Sequence, residues 1–88
     1  MTLDELFQRI EQAPVDPGEA VVWVKLSPFD WQGVMKERLD PRLELVMDAD
    51  SLHAGVVALL VGKGIWIQVS RSVPQGSPEF STVLGALR

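Results

Sequence analysis

Leu3, Leu6, Phe7 and Ile10 recur with the spacing of a single helix face, which predicts a helix from about residue 3 to 12. Thr2 followed by Glu5 is a capping-box pattern, Asp4 and Glu5 suit the positive end of the helix dipole, and Glu5 with Arg9 forms an i,i+4 pair. Pro14-Val15-Asp16-Pro17-Gly18 then makes a loop. Ala20 to Leu26 is β-branched and aromatic, the signature of a strand. Ser27-Pro28 supplies an N-cap and a first-turn proline for a second helix, with Trp31, Val34, Met35 and Leu39 as its apolar stripe and Asp40-Pro41 as its end.

From Arg42 to Asp48 polar and apolar residues alternate, which predicts a half-buried strand. Residues 52–61 fit a helix stripe through Leu52, Val56, Leu59 and Leu60, but Val56, Val57 and Val61 favour a strand. Gly62-Lys63-Gly64 before Ile-Trp-Ile-Gln-Val-Ser has the chemistry of a hairpin loop, and the hairpin is the preferred reading. Ser77-Pro78-Glu79 repeats the helix-start chemistry, and Phe80, Val83, Leu84 and Leu87 repeat the spacing of the first helix. The expected order is α-β-α-β-β-β-α. The expected fold is a two-layer α+β sandwich, its four-stranded sheet mixed or antiparallel, with helices packed on one face.

Side chains alternate across a strand, so each strand separates into two faces. Val22, Val24 and Leu26 oppose Val21, Trp23 and Lys25. Leu43, Leu45 and Met47 oppose Arg42, Glu44, Val46 and Asp48, and Ile65, Ile67 and Val69 oppose Trp66, Gln68 and Ser70. In the third strand Val57, Leu59 and Val61 oppose Val56, Ala58 and Leu60, so it is apolar on both sides. One sheet face is therefore aliphatic and suits the helices, while the other mixes tryptophan and valine with charge. Short helices cannot cover both sides, and two-sided apolar strands usually have both faces covered. The expected contact surface is Trp23, Lys25, Glu44, Val46, Trp66 and Gln68, with a second copy of the chain as the simplest partner. A terminal helix or loop folded over that face is the alternative.

Composition narrows the picture. The 88 residues suit one domain, 1–88, and a chain of this size buries about 60–65% of its unfolded surface. There is no cysteine, so neither disulfides nor thiolate-bound zinc stabilise it. Eight Lys and Arg against twelve Asp and Glu give a net charge of −4, and the cations are scattered. That balance opposes nucleic acids and anionic membranes. Met-Thr-Leu-Asp-Glu is acidic where a signal peptide is basic, and the longest apolar run, Val56 to Val61, cannot span a bilayer. A cytoplasmic location is the expectation.

Candidate chemistry is sparse. Asp48, Asp50 and His53 lie within six residues and could hold a divalent cation, but they match neither a calcium loop nor a zinc-protease helix. An Asx-type turn explains the same residues. His53 is the only histidine, no serine sits in a nucleophile elbow, and Gly62-Lys63-Gly64 lacks the context of a phosphate loop. Trp31 reads as core, with Phe29 as a minor aromatic docking patch. From residue 28 the order α-β-β-β-α resembles the double-stranded-RNA-binding domain, a family that places lysines at the start of its last helix. Ser77-Pro78-Glu79-Phe80 stands there instead, and RNA binding is not expected.

No catalytic residue and no cofactor is implied. The leading expectation is a non-catalytic interaction or assembly module that self-associates, or docks another protein, through a sheet face. The alternatives are a small-ligand-binding regulatory domain, with a pocket near Asp48–His53 or between Trp23 and Trp66, and a metal-dependent enzyme at the Asp48-Asp50-His53 turn.

Overall fold

A computed structural model of the chain describes residues 1–84. Three helices, α1 (Leu3–Glu11), α2 (Pro28–Met35) and α3 (Ala49–His53), are interleaved with five strands. The strands are β1 (Glu19–Leu26), β2 (Leu43–Leu45), β3 (Val56–Leu60), β4 (Ile65–Val69) and β5 (Glu79–Leu84). They form one mixed sheet of order β2-β3-β4-β1-β5, in which β1 and β4 run parallel and the other neighbours antiparallel. The α+β class, the mixed sheet and the β3–β4 hairpin match the expectations from sequence.

Helices α1 and α2 start where their capping residues predict, whereas α3, capped by Asp48, was not expected. The Thr2 hydroxyl accepts the Glu5 N–H at 3.1 Å, and Glu37 accepts the Leu3 N–H at 2.6 Å. Ser27 accepts the Asp30 N–H at 3.1 Å, with Pro28 in the first turn of α2. Leu3, Leu6 and Ile10 of α1 and Val34 of α2 pack on Val24, Leu26, Leu43, Ala58, Leu60, Ile65 and Ile67 of the sheet. Trp31 and Phe7 lean on this cluster from its margin, so the core reading of Trp31 holds.

Gly76 ties the layers together. Its N–H donates to Asp30 Oδ2 at 2.7 Å, and its carbonyl accepts from Arg9 at 3.1 Å. Asp30 is only 3% exposed, so α2 fixes the β4–β5 loop with a buried carboxylate. Arg9 therefore serves this loop rather than Glu5. Arg42 binds Asp40 and Asp4 and stacks over the Phe7 ring at 4.9 Å, which joins α1 to the start of β2.

Several expectations are corrected. Residues 79–84 form β5 rather than the expected third helix, so the sheet has five strands and not four, and the element order no longer resembles the double-stranded-RNA-binding domain. Leu87, the last member of that helical pattern, lies outside the described residues. The physical reason is the eight-residue edge of β1, whose backbone groups pair with β5. A short isolated helix there would have left them without that ladder. Helix α2 stops at Met35, and Leu39, expected on its apolar stripe, is 92% exposed in the turns beyond. Strand β2 is only three residues long, and Met47 is 83% exposed.

Two bulges revise the strand faces. Val22 is the extra residue where β1 meets β5, and Val21 packs against the core instead. Val57 is the extra residue where β3 meets β4; it also packs against the core, while Val56 pairs with Gln68 on the other side. Arg42, expected on the mixed face, turns to α1.

Candidate functional site

The face away from α1 and α2 carries a continuous row of side chains. Glu44 of β2 pairs with Leu59, Leu59 with Trp66, Trp66 with Trp23 and Trp23 with Ser81, so the row crosses all five strands. The next row on this face holds Val56, Gln68, Lys25 and Glu79. Both rows follow from strict alternation along β4, where Ile65 and Ile67 are buried and Trp66 points outward.

The two indoles differ. Trp23 is half-buried and donates its Nε1–H to Gln68 Oε1 at 2.8 Å; Gln68 in turn donates to the Ala54 carbonyl at 3.0 Å. This relay gives the buried N–H a partner and holds the Gln68 stem against Gly55, at the start of β3. Trp66 remains 38% exposed. One indole is pinned and the other is open.

Beyond β2 the chain continues as Val46 and Met47, with the Val46 N–H bonded to the Val57 carbonyl at 2.9 Å. A hollow lies on each side of this segment. The cleft on the tryptophan side measures about 250 Å³ and is walled by Glu44, Val46, Asp48, Leu59 and Trp66. The other, about 210 Å³, lies between α2 and α3 and is lined mainly by Trp31, Met35, Leu52 and Val57. Asp48 caps α3 through the Ser51 N–H at 2.9 Å. That backbone N–H, with the Ser51 hydroxyl, holds the Asp48 carboxyl below its ordinary range and keeps it anionic beside the cleft.

The structure thus brings Trp23, Trp66, Glu44, Lys25 and Gln68 onto one face, with Val46 at its rim. Leu59 joins them at the centre of the row, and Asp48 stands at the cleft rather than at a separate turn. Leu59 was not assigned to this surface from sequence, because its placement depends on the β3–β4 register, whereas a pocket near Asp48 was an expectation. The equal apolarity of both sides of β3 was the available signal. Phe29 is exposed at the start of α2, away from this face.

Asp48, Asp50 and His53 are carried by α3 and its cap, with Asp48 already bonded as that cap. Among the described residues no three carboxylate, imidazole or thiol side chains gather closely enough to hold a metal ion. Nor is any described helix long and apolar enough to cross a membrane. Compared with protein-family models, with curated proteins and with solved structures, the chain matches none.

Proposed function

We propose that this protein is a non-catalytic assembly module that self-associates through the tryptophan face of its sheet. The observation that carries this reading is the edge-to-edge row Glu44–Leu59–Trp66–Trp23–Ser81, lying opposite the face packed by α1 and α2. Aromatic residues concentrate at interface cores because they bring large area and one polar group. Here the polar group of Trp23 is already bonded within the chain, so covering that indole leaves no donor unpaired. Two-fold pairing is the commonest arrangement for such a face. Five short strands give a plane of roughly 400 Å² before side-chain relief is counted. That is about half of the roughly 800 Å² that a standard complex buries on each partner, so the association is expected to be weak.

Tryptophan emission over a dilution series tests the reading. Rising concentration is expected to move the emission to shorter wavelength as Trp66 leaves water, and Trp66→Phe is expected to abolish the shift. Emission that does not change with concentration contradicts it.

A further inference from the structure

The cleft beside the Val46–Met47 segment brings three chemistries together within one chain. Leu59 and Val46 give it an aliphatic lining, Trp66 supplies an open indole, and Glu44 and Asp48 supply two carboxylates. Its volume, about 250 Å³, lies just under the usual range for small-molecule sites, which combine apolar and aromatic walls with a few polar groups. Asp48 is held by its bond from the Ser51 N–H, so α3 fixes where that carboxylate stands.

The charge around the cleft is one-sided. Among the described residues neither Glu44 nor Asp48 makes an ion pair. Lys25, the one cation among the strand residues of this face, lies beyond β4 on β1 and stands directly opposite Glu79 of β5. Arg42, next in sequence to β2, is drawn to α1 by Asp4 and to the preceding turn by Asp40. The face therefore carries three carboxylates against one ammonium, and two of the three line the cleft.

We propose that this cleft binds a small organic cation, an alkylammonium whose charged head lies between Glu44 and Asp48 and whose stem lies along Leu59 and the Trp66 ring. Both ends of such a molecule are matched. The carboxylates attract the head, and the indole face attracts a cation while sheltering hydrocarbon from water. A bare metal ion fits less well, because two carboxylates are too few ligands and the apolar walls offer it none. The site is complete within one chain, so the inference goes beyond self-association and does not depend on it.

The test uses the full chain at a concentration where sedimentation gives the single-chain mass, titrated over the millimolar range with hexylammonium and, separately, with hexanol. Proton–nitrogen correlation NMR follows the Trp66 indole N–H, identified by its loss in Trp66→Phe, and the backbone amides of residues 44–48. Hexylammonium is expected to move these signals saturably and to bind about tenfold more tightly than hexanol. Combining Glu44→Gln with Asp48→Asn is expected to remove that preference. Asparagine keeps a cap on α3, and signals elsewhere that stay in place show that the fold is intact. Hexylammonium that gives no saturable shift, or binds no better than hexanol, overturns the proposal. A preference that survives in the folded double variant overturns it too. Self-association is read separately, from the mass at higher concentration, and none of these outcomes decides it.

Discussion

Trp23 and Trp66 are register partners on the parallel strands β1 and β4, yet among the described residues only the Trp23 indole N–H has a hydrogen-bond partner. Their substitution should therefore have different consequences. Trp66 is the more exposed of the two, and Trp66→Glu is expected to cost about 1 kcal/mol in urea unfolding while abolishing self-association. Trp23→Ala is expected to cost about 2 kcal/mol, because it removes half-buried contacts and leaves Gln68 without a donor. Equal effects on stability would contradict the division between a pinned and an open indole.

Gln68 both accepts from Trp23 and donates to the Ala54 carbonyl. Gln68→Glu keeps the acceptor and loses the donor, whereas Gln68→Ala loses both. Urea unfolding is expected to rank wild type above Glu above Ala, with about 1 kcal/mol between wild type and Ala. A Glu variant less stable than Ala would show that repulsion between its carboxylate and the Ala54 carbonyl outweighs the bond it keeps from Trp23.

Arg42 holds the Asp40 carboxyl at about 2, below its usual 3.8, through side-chain hydrogen bonds and its backbone N–H. A group whose value is lowered on folding contributes stability above its unfolded value and loses it as pH falls toward the folded one. The stability advantage of wild type over Asp40→Asn is therefore expected at neutral pH and should shrink between pH 3.8 and about 2. Unfolding midpoints at neutral pH and across that window check this. An advantage that grows on acidification would contradict the pairing with Arg42.

Asp30 accepts the Gly76 N–H from a buried position. Asp30→Ala is expected to cost about 1–3 kcal/mol and to raise hydrogen exchange at Gly76 without altering dimer affinity. Unchanged exchange would mean that Arg9, bonded to the Gly76 carbonyl, holds the loop alone.

Local signals in the sequence placed most of the fold. Thr2, Ser27 and Pro28 marked helix starts through cap chemistry that acts over three residues, and Gly62 and Gly64 marked the hairpin by taking positive φ. Long-range pairing was less legible. Ser77-Pro78-Glu79 and the spacing of Phe80 and Leu84 resemble a helix start, but the edge of β1 recruits the segment into the sheet. The bulges at Val22 and Val57 shift the alternation by one residue, and no local feature of Val-Val announces them. The tryptophan face survived these shifts because Trp66 and Gln68 lie in the regular β4, and Trp23 and Lys25 lie beyond the β1 bulge. Leu59 became visible only once β3 was in register, whereas a pocket near Asp48–His53 was already among the expectations.

Sedimentation equilibrium of the purified wild-type chain, from low to high micromolar concentration, tests whether the tryptophan face is covered by a second copy. The expected result is a mass that rises from 9.7 kDa toward twice that value, with Trp66→Glu remaining at the single-chain mass throughout. A wild-type chain that keeps the single-chain mass over the whole range would contradict the assembly role.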